Sequence, residues 1–156
     1  MSRRYFGSIT LVICTILLCD NYANALSKDQ LKTAVKPIRT MCVANVGVDP
    51  ALLDAMDRGE FSDDQAFRCY TKCVMIQLKT FKHGLPALNA IMKQIKIAFS
   101  KEIQARFVIA MAKCTEFYFD EYFKNLDAGV EEDECTTTWK LVKCTYRQDP
   151  EIFFFP

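Results

Sequence analysis

The chain has one histidine, one tryptophan, five glycines and five prolines in 156 residues. Each scarcity excludes something. A lone imidazole, His83, leaves no room for a His-rich zinc site, and Cys-His or Ser-His catalysis would have to use it, yet nothing in the sequence marks a nucleophile beside it. Glycines this few and this scattered make no phosphate-cradling loop. The adjacent carboxylates Asp63 and Asp64 fall at a helix start, where the helix dipole accounts for them. No enzyme, cofactor or metal is expected. Charge of one sign is also missing, with 20 basic and 19 acidic residues, so no field draws nucleic acid or acidic lipid. After the N-terminus, no apolar run is long enough to cross a bilayer.

The N-terminus itself reads as a leader. Arg3-Arg4 is a positive start, Tyr5 to Cys19 is apolar but short for a span, and Ala23-Asn24-Ala25 is a small-x-small processing site. Residues 1–25 are therefore expected to be a cleaved signal peptide and residues 26–156 one soluble, secreted domain, an uncleaved anchor being the alternative. Cleavage removes Arg3, Arg4 and Asp20, which leaves the mature chain without net charge. It also removes Cys14 and Cys19, so eight cysteines become six, an even number suited to an oxidising compartment.

What the sequence has in quantity is helix signals, phenylalanine and those six cysteines. Ser27 with Gln30 is a capping box opening a helix through Leu31, Val35, Ile38 and Cys42, with Pro37 as a kink and Gly47 as the stop. Asp49-Pro50 opens a short helix that ends at Arg58 before Gly59. Ser62 with Gln65 opens a third helix, which carries Cys69 and Cys73 one turn apart on one face. Lys82-His83-Gly84 is a loop; helix resumes over Leu85–Ile97. Ser100 caps a fifth helix that reaches about Leu126, and an acidic start at Glu131–Glu134 opens a last one, broken by Asp149-Pro150. No strand alternation is evident. The expected fold is all-α, about six helices.

The cysteine gaps are 26, three, 40, 20 and eight residues through Cys42, Cys69, Cys73, Cys114, Cys135 and Cys144. Six cysteines allow fifteen pairings, and spacing alone does not choose. The x3 gap, the gap of about forty and the final x8 gap resemble the insect odorant-binding proteins of the six-cysteine group, over the whole mature chain. The ending Asp149-Pro150-Glu151-Ile152-Phe153-Phe154-Phe155-Pro156 is similar to that family's C-terminal segment. The Cys114–Cys135 gap is longer than the family's usual one. The resemblance implies three interlocked bonds, Cys42–Cys73, Cys69–Cys135 and Cys114–Cys144, around a central apolar cavity. It implies a carrier of odorants, pheromones or similar small hydrophobic molecules to a chemosensory receptor, as a monomer or weak homodimer. Two alternatives stand beside it: a protein of the same fold acting through a protein partner, and a saposin-like lipid-interacting protein.

For such a cavity the inward helix faces offer Met75, Leu88, Ile91, Met92, Ile95, Phe107, Met111, Trp139 and Val142, with plain core as the competing reading of each. Thr71, between the two cysteines of the third helix, reads as outward-facing, with a hydroxyl offered to the cavity as the alternative. Phe153-Phe154-Phe155 should leave water, since burying one ring stabilises by several kcal/mol at about 25 cal/mol per Å2. Phe153 and Phe154 are therefore taken as cavity wall or lid, against a plain cover on the core or a contact with a second chain. His83 is either an ordinary exposed loop residue or a pH trigger for ligand release, a role the Pro156 carboxylate also suits.

Overall fold

Among the described residues six helices and one short hairpin follow one another: α1 Lys28–Val46, α2 Pro50–Asp57, α3 Gln65–Gln77, β1 Phe81–Lys82, β2 Leu85–Pro86, α4 Leu88–Ala98, α5 Lys101–Asp127 and α6 Glu134–Gln148. They come from a computed structural model that describes residues 25–130 and 132–156. The expected leader, apart from Ala25, lies outside the described residues.

The helix ends follow local chemistry. Ser27 and Gln30 form the reciprocal capping box of α1, and Gly47 closes that helix in the left-handed conformation at φ 73°. Pro37 lies inside α1. Asp49 caps α2, with Pro50 in the first turn. At α3 the cap is Asp64, whose carboxylate accepts from the Phe67 N–H at 2.9 Å, and Ser62 instead braces the Asp64 N–H at 3.1 Å. This corrects the expected Ser62 box: two capping side chains stand two residues apart, and the carboxylate is the one in register with the third helical N–H.

The expected loop at Lys82–Gly84 is the tip of a hairpin, with Phe81 opposite Pro86 and Lys82 opposite Leu85. His83 and Gly84 both have positive φ, 53° and 75°, the combination a two-residue type I′ turn demands. Pairing of Leu85 and Pro86 with β1 is why α4 begins at Leu88 and not at Leu85.

Helix α3 is the centre of the packing, with α1 against one side and α6 against another. Two apolar clusters result. One joins α1, α2 and α3 through Cys42, Leu53, Met56, Phe67, Tyr70 and Val74. The other joins the end of α3 to β1, α4, α5 and α6 through Met75, Phe81, Ile91, Ile95, Met111, Leu141 and Val142. Phe61 and Phe155 touch both. Disulfides Cys42–Cys73, Cys69–Cys135 and Cys114–Cys144 tie α3 to α1 and α6, and α5 to α6, as the resemblance implies. Each cross-link contributes about 2–4 kcal/mol. Among the described residues no helix is long and apolar enough to cross a membrane.

Candidate ligand cavity

After α6 the chain turns back over the bundle. Arg106 of α5 grips the turn, donating from Nε and Nη2 to the two Asp149 carboxylate oxygens at 2.8 and 2.7 Å, and from Nη2 to Glu151 Oε2 at 2.9 Å. Ile152 is buried. Phe153 packs edge-on against Phe61 and Tyr146 with centroids 6.2 and 5.2 Å away, and stacks on Phe155 at 6.4 Å. Tyr146 in turn lies over Gly59, whose φ of +87° and lack of a side chain leave room for the phenol. At the very end the Tyr70 hydroxyl donates to the Pro156 main-chain oxygen at 2.6 Å. Burial pushes the Tyr70 phenol up to about 12, with Asp57 pushing the same way and Arg39 opposing. The phenol therefore stays a donor throughout the physiological range.

The tail so fixed forms one wall of a cavity of about 210 Å3, which is open to solvent on one side. The second wall is α4, through Ile91, Gln94, Ile95 and Ala98. Met75 comes from α3 and Leu78 from its C-cap, Phe107 and Met111 from α5, Leu141, Val142 and Thr145 from α6, and Leu31 and Val35 from α1. Among the described residues no charged side chain lines it, though Pro156, with the terminal carboxylate, stands at its edge. Its hydroxyls are engaged with their own backbones, Thr80 donating to Met75 O at 3.0 Å and Thr145 to Leu141 O at 2.9 Å. Each keeps lone pairs free to accept from a guest. The Gln94 amide donates to Leu78 O and so holds α4 to the end of α3. Chemically, the site can exclude water from an apolar molecule and meet one or two polar groups on it.

Of the residues singled out in the sequence, Met75, Ile91, Ile95, Phe107, Met111, Val142, Phe153 and Phe154 come together on this cavity. Three do not. Leu88 is 44% exposed, and Met92 packs against the core beside the cavity. Helix α4 is rotated so that the stripe 91, 94, 95, 98 faces the space, and Leu88 and Met92 fall on its flank. Trp139 packs against the α1–α3 cluster, on the other side of α6, with the Lys143 ammonium 4.0 Å from its ring centroid. Thr71 is also placed differently. It is fully buried against α6, its hydroxyl 3.1 Å from that of Thr138. His83 does not line the apolar cavity; it borders a separate polar cleft with Tyr118, Glu121, Glu132 and Glu134. Leu31, Val35, Leu78, Phe99, Leu141 and Phe155 also line the cavity and were not singled out despite their apolar signature, while Thr80, Gln94 and Thr145 carry no such signature.

Known proteins share this fold. Residues 24–148 match the PBP/GOBP family. General odorant-binding protein 72 of Anopheles gambiae is 24% identical over 130 residues, covering 83% of this chain and 99% of that protein. The structure of Apis mellifera odorant binding protein 5 superposes with a TM-score of 0.65 at 36% identity, covering 85% of this chain and 99% of that one. Odorant binding protein 4 of Chrysopa pallens shares the fold at a TM-score of 0.67 and 23% identity, covering 84% and 99%. With a family match over residues 24–148 and a shared fold at 36% identity over 85% of its length, the chain belongs to the PBP/GOBP family.

Proposed function

We propose that the protein is a secreted carrier that takes small, largely apolar molecules into the cavity behind its C-terminal tail and delivers them through an aqueous fluid to a chemosensory receptor. The observation that carries this reading is the cavity itself, about 210 Å3, walled by side chains of five helices and the tail, with no charged side chain in its lining. A fully packed centre would have been more stable, since unfilled space forfeits dispersion contacts. Three disulfides offset that loss. The volume lies below the 300–1,000 Å3 typical of drug-sized sites, which suits volatile or semi-volatile molecules. The relatives' names agree, and the leader at residues 1–25 supports export.

The test is displacement of an apolar fluorescent probe from the refolded, disulfide-intact protein Leu26–Pro156. Saturable micromolar binding that volatiles reverse is expected, and removal of Phe153–Pro156 should weaken it at least about tenfold, or 1.4 kcal/mol. Absence of binding with the fold intact would move the assignment to the same-fold protein that acts through a protein partner.

A further inference from the structure

Helix α5 has two apolar faces, and the carrier function uses one. Ala110, Met111, Cys114 and Tyr118 are buried toward the bundle. On the opposite side Ala105, Ile109, Ala112, Glu116, Phe119 and Phe123 recur at alternating spacings of four and three residues, the pattern of a helix–helix seam. Five of these six are apolar. Ile109 is 59% exposed and Phe123 56%. Ala105 and Ala112 are exposed too, and Phe119 is half-buried, its ring stacked on Phe123 at 6.4 Å. Among the described residues nothing covers this seam, which runs for roughly 27 Å at 1.5 Å per residue.

We propose that this face of α5 is a self-association surface, on which the α5 helix of a second copy of this chain packs antiparallel. The side-chain sizes and charges along the seam select that occupant and that direction. Set antiparallel, with Phe123 of the second copy level with Ala105, the seam puts Phe119 beside Ile109 and Glu116 beside Ala112, and the two-fold axis repeats each pair. Phe123 thus meets the space that Ala105 leaves, and the Glu116 stem lies over Ala112. Lys113 of one copy then sits one residue's rise, about 1.5 Å along the axis, from the level of Glu116 of the other, and Lys124 about 3 Å from the level of Glu102. Both are opposite-charge neighbours flanking the seam. A parallel pair would instead stack Glu116 on Glu116 and alanine on alanine, losing both size and charge complementarity. The contact leaves the tail-walled cavity on the far side of α5 accessible.

Sedimentation equilibrium of the disulfide-intact protein Leu26–Pro156, over a wide concentration range, tests this. Wild-type protein should show a reversible monomer–dimer equilibrium. I109D should abolish it with unchanged helical ellipticity and unchanged binding of the apolar probe, because the residue is exposed and outside the cavity. K113E and E116K should each raise the dimer dissociation constant by about tenfold, or 1.4 kcal/mol summed over the two symmetry-related like-charge contacts created, and K113E/E116K together should restore it. A wild-type chain that stays monomeric at millimolar concentration would overturn the proposal. So would a dimer indifferent to I109D, or a charge swap that fails to restore association.

Discussion

The hydroxyl of Tyr70, in the middle of α3, holds the last residue of the chain: it donates to the main-chain oxygen of Pro156, 86 positions away, at 2.6 Å. Both residues are buried, so the bond forms without competition from water. Removing the donor leaves a buried oxygen unsatisfied, at about 1–3 kcal/mol. Y70F should therefore lower unfolding stability by that amount and speed dissociation of a bound probe, because the tail wall loses its anchor. Stopped-flow displacement and urea unfolding measure the two. Equal dissociation rates in Y70F and wild type would show that the Tyr70 bond does not hold the tail.

The same phenol sets an alkaline limit. Its pKa rises from about 10 in the unfolded chain to about 12 in the folded one. A raised pKa means that the folded state favours the protonated form. The stabilisation is complete below pH 10 and is lost as pH climbs toward 12. Tyr118, pushed up to about 12 by burial and donating to Gly84 O at 2.7 Å, acts in the same direction. Unfolding free energy should fall across that window, by about 2 kcal/mol for Tyr70, and Y70F should flatten the slope.

Thr71 and Thr138 form a buried polar contact between α3 and α6, 3.1 Å apart, next to the Cys69–Cys135 bridge. Each hydroxyl also has a carbonyl of its own helix in reach, Arg68 O at 2.6 Å and Glu134 O at 2.9 Å. With one proton per hydroxyl, only one of them can serve the inter-helix contact at a time. T71V should thus cost only about 1 kcal/mol in stability, and probe affinity should not change, because the residue faces α6. A change in affinity would show that α3 and α6 shift together and reshape the cavity.

Trp139 packs in the α1–α3 cluster, and among the described residues its indole N–H is buried without an acceptor. W139A should destabilise by about 3 kcal/mol through lost packing, with binding per folded molecule intact. W139F should be close to neutral, since it deletes the orphaned donor along with the ring it belongs to. The tryptophan emission should respond weakly to ligand. A strong ligand-dependent quench would contradict the position of the ring outside the cavity.

These residues also show where sequence reasoning stops. Capping boxes, Asp49-Pro50 and Gly47 act over three or four residues, so a sequence displays them directly. The disulfide spacing was legible through its resemblance to a family, and the tail through its bare apolarity. Thr71 and Trp139 were not legible, because α3 is covered on two sides. Which of two clusters a helix face meets depends on the crossing of the helices, a quantity no single helix encodes. The flank position of Leu88 and Met92 has the same origin: an apolar stripe three residues wide tolerates a rotation of α4 that places Gln94 and Ala98 on the cavity. The hairpin at Phe81–Pro86 was missed because two-residue strands are too short to show alternation.

The root of the tail gives the last prediction. The two-pronged grip of Arg106 on Asp149, with Glu151 as a second partner, joins α5 to the turn from which Phe153–Pro156 depart. Hydrogen bonding from Arg106 holds the Asp149 carboxyl below the usual carboxylate range, with backbone N–H groups of Ile152 and Glu151 helping and desolvation opposing. A depressed pKa means that the grip is complete above the ordinary carboxylate range and is lost only as pH falls through the lowered value. Acidification from pH 7 to pH 5 should therefore leave it closed. R106K, which keeps the charge but loses the planar fork, and D149N should both speed probe dissociation at pH 7 several-fold. Both should show the same relative change between pH 7 and pH 5 as wild type. If wild-type affinity falls at pH 5 and D149N abolishes that fall, Asp149 is the acid sensor after all. If the fall persists in D149N and in H83N, neither Asp149 nor His83 is its source.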